Sequence, residues 1–232
     1  MCGIVGYTGP RRAAPILVEG LKRLEYRGYD SAGIAVQSGG RQSVVKTVGK
    51  IARLRASVPP DLPGSCGIGH TRWATHGGVT DANAHPHQDP GGKVALVHNG
   101  IVENYRSLKE KLEARGAVFA SETDTEVIAH LIARYYEGDL GKAVMAAVRR
   151  LEGTYGIAVM HQDEPGRIVG ARKGSPLVVG VGDGEMFLAS DITAMIAHTK
   201  RVVYMNDGEI VDIRPEGFSI MDLDENHVDK RI

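Results

Sequence analysis

Thirty glycines divide the apolar stretches of this 232-residue chain into short runs of Val, Ile and Leu. Short β-branched runs bounded by glycine-containing turns are typical of strands, so we expect many strands joined by tight turns. The predicted strands are residues 3–7, 32–37, 43–47, 66–72, 94–98, 156–161, 168–171, 177–181, 186–189, 202–205 and 209–213.

The strands predicted after residue 156 follow one another through turns, which indicates antiparallel pairing in the C-terminal third. Asp183-Gly184 and Asp207-Gly208 are hairpin signals, because both residues of such a turn tolerate positive φ. We therefore expect one hairpin just before residue 186 and another that joins strands 202–205 and 209–213.

Four segments carry apolar residues at helical spacing. The first has its apolar stripe, residues 17, 20, 21 and 24, after Pro15; the second covers residues 104–115; the third opens with a capping box at residues 123–126; the fourth covers residues 140–151 behind an Asp139 cap. Two helix pairs and two groups of antiparallel strands predict an α+β chain. The expected architecture is a four-layer αββα sandwich, in which two packed sheets are covered on the outside by helices.

Charge and composition give no support for nucleic acid or membrane partners. The 28 basic residues balance the 28 acidic ones, and no apolar run approaches the roughly 20 residues that a membrane-spanning helix needs. The N-terminus lacks the basic and apolar regions of a signal peptide, so we expect a cytoplasmic protein. Two cysteines in a reducing compartment predict free thiols, with Cys66 as buried strand packing.

Cys2 is the sharpest chemical feature. Removal of an initiator Met that precedes a small residue would leave a cysteine with both a thiol and a free α-amine. That amine, with an ordinary pKa of about 7.7–8.0, can act as the base for its own thiol. The alternative is that Cys2 is simply a small apolar residue at the start of a strand.

Two further motifs offer groups for substrate recognition and catalysis. Arg72 has a planar guanidinium suited to a two-point contact with a carboxylate. A surface salt bridge would also explain an arginine at this position, and Trp73 could simply be part of the core. Asn99 and Gly100 follow an apolar run and could together supply an amide and a backbone N–H to a developing oxyanion. Asn-Gly is equally the most common hairpin turn.

Asp124 lies in the predicted capping box, where a carboxylate in the first helical turn bonds free N–H groups and meets the positive end of the helix dipole. That structural role is sufficient to explain it. The functional alternative is that Asp124 also meets a substrate ammonium, which would make it the partner of Arg72 for the two charged ends of an α-amino acid.

Several histidines raise the question of a metal site. They lie at positions 70, 76, 85, 87 and 98, but no Cys or acidic residue stands at a familiar ligand spacing. We therefore predict neither a metal nor a cofactor.

Six segments occur in an order that resembles one family. They are residues 1–6 (MCGIVG), 24–33 (LEYRGYDSAG), 70–77 (HTRWATHG), 83–87 (NAHPH), 98–104 (HNGIVEN) and 121–126 (SETDTE). Together they resemble the glutaminase domains of the glutamine:fructose-6-phosphate amidotransferases (glucosamine-6-phosphate synthase, isomerising), which are class II glutamine amidotransferases. The resemblance implies an N-terminal-nucleophile hydrolase fold of layers αββα and the release of ammonia from L-glutamine through a γ-glutamyl thioester.

The resemblance also implies roles by matching position. Cys2 would be the nucleophile and its amine the base, with Asn99 and Gly100 as the oxyanion hole. Arg72 would hold the glutamine carboxylate and Asp124 its amine. The remaining matches are Arg27 and Gly28, which would order the nucleophile end; Thr75 and His76, which would line the glutamine pocket; and Trp73, which would gate the passage of ammonia.

The family continues beyond the length of this chain into a sugar-phosphate isomerase part. We accordingly expect a glutaminase domain over residues 1–220 and a polar linker over residues 221–232. Its partner would be that isomerase part or a separate acceptor subunit, and we expect a homodimer for the full-length enzyme. Two alternatives stay open: the glutaminase domain of a phosphoribosyl-diphosphate, asparagine or glutamate synthase type of enzyme, and a catalytically silent glutamine-binding module.

Overall fold

The computed structural model describes residues 2–74 and 77–232. Its strands are β1 (Gly3–Thr8), β2 (Ser31–Ser38), β3 (Arg41–Val48), β4 (Cys66–Arg72), β5 (His87–Gln88), β6 (Val94–Val102), β7 (Gly153–His161), β8 (Ile168–Lys173), β9 (Val178–Val181), β10 (Met186–Ala189), β11 (Val202–Tyr204), β12 (Glu209–Arg214) and β13 (Gly217–Asp222). Its α-helices are α1 (Ala13–Arg23), α2 (Ile51–Ser57), α3 (Tyr105–Glu113), α4 (Glu126–Tyr135) and α5 (Leu140–Val148).

The strands form two antiparallel sheets. The first sheet has seven strands in the order β11-β9-β10-β1-β4-β2-β3, and the second has six in the order β13-β12-β8-β7-β6-β5. The N-terminal strand β1 is central in the first sheet because it pairs with β4 on one side and β10 on the other. The beginning of the chain is therefore held firmly in register.

Three apolar clusters explain why the two sheets and the helices stack. Alternate residues of the first sheet, such as Val5 and Tyr7, pack under α1 and α2. The opposite face, with Ile4 and Ile68, packs against the second sheet. The far face of the second sheet packs under α3, α4 and α5. Because side chains alternate across a strand, each sheet buries both faces, and the predicted α+β sandwich of layers αββα is confirmed.

One of the two predicted hairpins is wrong. Asp183-Gly184 does connect paired strands, since Met186 of β10 lies opposite Val181 of β9. Asp207-Gly208 instead lies where the chain leaves the first sheet at β11 and enters the second at β12. The Asp207 carboxylate accepts a hydrogen bond from the N–H of Gly174 at 2.9 Å. This turn has the hairpin sequence, but the two flanking strands pair with other neighbours.

The predicted helices occur, with changes at their ends. Helix α1 begins at Ala13 and includes Pro15, because a proline in the first helical turn has no intrahelical hydrogen bond to lose. The Asp139 cap of α5 is confirmed, since its side chain accepts from the N–H groups of Gly141 and Lys142. The short elements α2, β5 and β13 were not predicted, and β13 includes two residues of the polar tail.

Cys66 lies buried between the sheets, where its sulfur is 3.6 Å from that of Met160. Burial raises the pKa of this thiol to about 12, so it stays protonated and serves as packing, as predicted. Cys2 and Cys66 are both free cysteines. No helix in the described ranges has both the length and the apolar character needed to cross a membrane.

Candidate active site

Strand alternation brings the key residues to one end of the space between the sheets. Ile4, Ile68 and Val97 face this space, and residues an even number of positions away on the same strands, or on the extended residue just before β1, share their face. Cys2, Arg72 and Asn99 therefore point inward at the same end, where they line a cavity of about 310 Å³. The predicted residues on its walls are Cys2, Arg27, Arg72, Trp73, Asn99, Gly100 and Asp124.

Cys2 is partly exposed at this cavity. Its Sγ accepts a hydrogen bond from the backbone N–H of Trp73 at 3.2 Å, and its carbonyl oxygen accepts one from Nδ2 of Asn99 at 3.1 Å. Burial raises the pKa of the Cys2 thiol, although the Trp73 N–H and the positive charge of Arg72 oppose that rise. A thiol with a raised pKa needs a nearby base before it can act as a nucleophile.

Arg27 reaches the cavity from the segment after α1. Its guanidinium donates to the Asp191 carboxylate at 2.5 Å and to the Tyr26 hydroxyl at 3.1 Å, which together fix its direction. Gly28 packs against the backbone of Arg72, where an added Cβ would lie 2.7 Å from the Arg72 carbonyl carbon and oxygen. A side chain at Gly28 would therefore displace the end of strand β4.

Arg72 and Trp73 form the rim at the end of β4. Arg72 is only 3% exposed, and its Nη1 donates to the Gly78 carbonyl at 3.1 Å. Trp73 is 47% exposed and meets Tyr29 edge-on at 5.4 Å between ring centroids. Residues 75 and 76, the predicted Thr75 and His76 of the pocket loop, lie outside the described residues.

Asn99 and Gly100 continue strand β6 and do not form a turn. Asn99 lies opposite Gly156 of β7, and Gly100 lies opposite Tyr155. Gly100 has φ +136°, and an added Cβ would lie 2.2 Å from the Thr154 carbonyl oxygen. Only glycine fits there, so the hairpin interpretation of Asn-Gly is wrong and both residues border the cavity.

The predicted position of Asp124 in a helical turn is also wrong. Helix α4 begins at Glu126, and the Glu126 carboxylate reaches back to the N–H groups of Ala120 and Ser121 instead of closing a capping box. Asp124 precedes the helix and is 4% exposed. Its Oδ2 accepts from the backbone N–H of Val102 at 2.7 Å, which aims the carboxylate at the cavity wall formed by β6.

Four buried histidines lie at the base of the cavity: His85 and His98 line it, and His70 and His87 are buried beside them. His70 stacks on His85 at 4.1 Å between ring centroids, and His85 meets His87 edge-on. Burial lowers the pKa of His70 and of His87 to about 3, and it also lowers that of His98 despite the nearby Asp124 carboxylate. In residues 2–74 and 77–232 no group of three or more His, Cys, Asp or Glu side chains is arranged to hold a metal ion.

We expect the free energy of unfolding to fall as the pH drops from 6.5 to 5. In this range the unfolded chain binds protons at these histidines whereas the folded chain does not. The slope from each such histidine approaches about 1.4 kcal/mol per pH unit below pH 6.5, and its contribution to stability is fully present only above that pH. Urea unfolding at several pH values measures the slope. His87→Gln should reduce the slope of the free energy of unfolding against pH by the contribution of one histidine. An unchanged slope would contradict the neutral state of His87.

Sequence reasoning missed several parts of the site. Thr154, Ser175 and Pro176 complete the cavity walls from the second half of the chain, and Asp191 holds Arg27. Asp30 accepts from the N–H of Ala74 at 2.6 Å and so anchors the segment after β4. Asp30 belongs to the segment 24–33 and could have been chosen from it, whereas nothing local distinguishes Asp191 or Ser175.

Comparison with known families decides the class of this site. A family profile described as "Glutamine amidotransferase domain" matches residues 70–197, which include Arg72, Asn99 and Asp124. The chain belongs to the glutamine amidotransferase domain family.

Curated relatives of this glutamine amidotransferase domain are named glutamine–fructose-6-phosphate aminotransferase (isomerizing). The protein from Symbiobacterium thermophilum is 56% identical over 95% of this chain, and that from Aquifex aeolicus is 53% identical over 100% of it. The chain spans 36% and 39%, respectively, of the lengths of these two relatives. It is similar to only one part of each longer protein.

A solved structure gives the same fold for the amidotransferase domain. The glutamine phosphoribosylpyrophosphate (PRPP) amidotransferase from B. subtilis, complexed with ADP and GMP, superposes with a TM-score of 0.83 at 28% identity. The superposition covers 97% of this chain and 50% of that one. Together with the two stacked sheets, this likeness supports the predicted N-terminal-nucleophile hydrolase fold.

Proposed function

We propose that this domain hydrolyses L-glutamine to glutamate and ammonia through a γ-glutamyl thioester on Cys2. The observation that carries the proposal is the position of the Cys2 thiol in a cavity that also holds Asn99, Arg72 and Asp124. A thiol, an amide donor, one cation and one carboxylate are the groups needed to bind and attack an α-amino acid with a side-chain amide.

The first half of the reaction would form the thioester. After removal of Met1, the α-amine of Cys2 takes the thiol proton, and the sulfur attacks the side-chain carbonyl carbon of glutamine. The oxygen of that carbonyl becomes negative and accepts hydrogen bonds from Asn99 Nδ2 and the Gly100 N–H. The protonated amine then gives its proton to the leaving nitrogen, and ammonia departs as the C–N bond breaks.

The second half would hydrolyse the thioester. The amine of Cys2 takes a proton from water, and the resulting hydroxide equivalent attacks the thioester carbonyl at the same oxyanion site. The C–S bond breaks, the proton returns to the sulfur, and glutamate leaves. Cys2 is restored, so the cycle needs no metal or cofactor.

Substrate orientation would follow from charge. Arg72 binds the α-carboxylate of glutamine and Asp124 binds its ammonium, since both are buried at the cavity. We further propose that Arg27 and Gly28 order the nucleophile end of the chain. Thr75 and His76 would line the glutamine pocket, and Trp73 would gate the passage of ammonia.

For the longer enzyme we propose that the ammonia is used to make glucosamine 6-phosphate from fructose 6-phosphate. The names of the two relatives at 56% and 53% identity support this acceptor. We further propose that residues 1–220 form the glutaminase domain and that residues 221–232 lead to the sugar-phosphate isomerase part. A homodimer of the longer enzyme and a cytoplasmic location stay predictions.

The structural likeness to a PRPP amidotransferase favours a second acceptor, a phosphoribosyl diphosphate. The chain is 28% identical to that protein and 56% identical to the fructose-6-phosphate enzyme, so we prefer fructose 6-phosphate as the acceptor. An ammonia-transfer assay on the longer chain, with each acceptor in turn, separates the two. Product from fructose 6-phosphate supports our choice, and product from phosphoribosyl diphosphate alone contradicts it.

The glutaminase proposal is tested by glutamate release from glutamine, with intact mass recorded to establish that Met1 is absent. We expect wild type to be active and Cys2→Ala to lose all measurable activity. Cys66→Ala is the matched control, because Cys66 is the other free thiol and lies between the sheets away from the cavity. Activity that survives in Cys2→Ala would contradict the proposal.

Arg72→Lys is expected to raise the KM for glutamine at least tenfold, because an ammonium cannot form the two-point contact of a guanidinium with a carboxylate. Turnover of a simple amide that lacks an α-carboxylate should change much less. Steady-state kinetics on both substrates measures the difference. Equal losses on the two would remove Arg72 from carboxylate binding.

A further inference from the structure

We infer that His70 is the positioning residue that orients the Asn99 amide toward the reacting centre. His70 lies in β4 of the first sheet, and Asn99 lies in β6 of the second. The His70 side chain is fully buried and crosses the space between the sheets. Its Nε2 is 2.9 Å from Asn99 Oδ1 and 3.0 Å from the His98 carbonyl oxygen. This contact joins the sheet of the nucleophile to the sheet of the oxyanion residue.

The neighbours of His70 determine where its proton lies. A backbone carbonyl can only accept a hydrogen bond, so the contact with the His98 oxygen requires a proton on Nε2. A protonated Nε2 cannot accept, so Asn99 must present its oxygen to His70. Nδ1 of His70 is buried and has no hydrogen-bond partner in the described parts of the chain. Burial also lowers the pKa of His70 to about 3, which keeps the ring neutral near pH 7.

The amide of Asn99 is thereby given one direction. With Oδ1 held by His70, Nδ2 faces the other way and donates to the Cys2 carbonyl oxygen at 3.1 Å. If the amide were rotated by half a turn, its NH2 group would face the N–H of His70 and its oxygen would face the Cys2 carbonyl oxygen. Two donors would then meet at His70 and two acceptors at Cys2, so both hydrogen bonds would be lost. The second N–H of Nδ2 is the donor that the proposed oxyanion role requires, and Asn99 borders the cavity.

The ring of His70 is itself held by packing. It stacks on His85, with an interplanar angle of 14°, and His85 Nδ1 accepts from the His98 N–H at 3.2 Å. His87, the next member of the cluster, instead contacts the Thr123 hydroxyl at 3.1 Å. His87 is therefore a matched control for substitutions of His70, because it is a buried histidine of the same cluster whose hydrogen bond goes to Thr123 and not to Asn99.

This inference rests on the proposed oxyanion role of Asn99, and two substitutions separate hydrogen bonding from packing. His70→Gln loses the ring but keeps an amide donor near the position of Nε2. His70→Phe keeps the ring and its stack on His85 but has no donor. We expect His70→Gln to keep kcat within about threefold of wild type and His70→Phe to lower it about 10- to 100-fold, a part of the loss caused by removing an oxyanion donor.

The KM for glutamine should change less than threefold in both variants, because the oxyanion forms only in the transition state. If His70→Phe does not fold, His70→Asn replaces it, since its shorter amide ends before Asn99. His87→Gln, the control, should keep the wild-type kcat. The reverse order, with His70→Phe active and His70→Gln impaired, would show that His70 acts by packing and would overturn the inference.

A double-mutant cycle gives the decisive measurement. If His70 acts through Asn99, His70→Phe should cost less than threefold further in a chain that already carries Asn99→Ala. The same 10- to 100-fold loss in both backgrounds would overturn the inference. The assay also separates this failure from failure of the proposed function: wild type must hydrolyse glutamine and Cys2→Ala must not.

Discussion

Asn99→Ala is expected to lower kcat for glutamine hydrolysis about 100- to 1000-fold, the usual effect of removing one oxyanion donor. Asn99 Nδ2 already lies 3.1 Å from the Cys2 carbonyl oxygen, and both residues border the same cavity. Since the donor acts on charge that develops during the reaction, the KM should change less than threefold. Steady-state glutamate release measures both constants.

Asn104→Ala is the control for this change. Asn104 also bridges backbone groups, donating to the Arg150 carbonyl at 2.9 Å and accepting from the Glu152 N–H at 3.1 Å. It follows β6 outside the cavity, so its loss should reduce stability and leave kcat unchanged. If Asn99→Ala kept kcat within threefold of wild type, the oxyanion role of Asn99 would be excluded.

Retention of Met1 is expected to abolish glutaminase activity. The mechanism assigns the base to the α-amine of Cys2, and an amide nitrogen in its place cannot take a proton from the thiol. Burial raises the pKa of the Cys2 thiol, so the nucleophile would stay protonated. A chain with one lysine inserted between Met1 and Cys2 keeps its initiator residue, and we expect its activity to fall below detection.

Two controls accompany the Met1 experiment. Intact mass establishes which N-terminus is present, and reaction with a small alkylating reagent shows that the thiol is still accessible. A protease site placed before Cys2 should restore activity after cleavage. Full activity in a chain that retains Met1 would require another base and would contradict the N-terminal mechanism.

The layered fold was predictable because its main signal is local. Residues 66–72 were predicted as a strand and form β4 with these same ends. Strand β6 was predicted to end at residue 98 but continues to Val102, because Gly100 can enter the narrow space beside Thr154. The Asp207-Gly208 hairpin failed because the partners of β11 and β12 lie elsewhere in the fold, which no local pattern encodes.

The same distinction between local sequence signals and long-range packing applies to the residues of the candidate site. Cys2, Arg72 and Asn99 could be chosen from sequence because each belongs to a motif whose chemistry is unusual for a strand end. Asp124 was chosen from sequence as a residue for the substrate ammonium, which stays a prediction. It does line the cavity, and its contact with Val102 depends on the approach of two distant segments. Asp191 and the orienting contact of His70 depend on long-range packing, so their importance appears only in three dimensions.

The most direct test of the central claim is to label the nucleophile with a glutamine analogue in which a chloromethyl ketone replaces the side-chain amide. The thiolate would displace chloride and form a stable thioether. Peptide mass spectrometry is predicted to find one label per chain, on a peptide that begins at Cys2, with activity lost in proportion and glutamine protecting against it. Labelling of Cys66, or full activity in a chain labelled at Cys2, would contradict the claim.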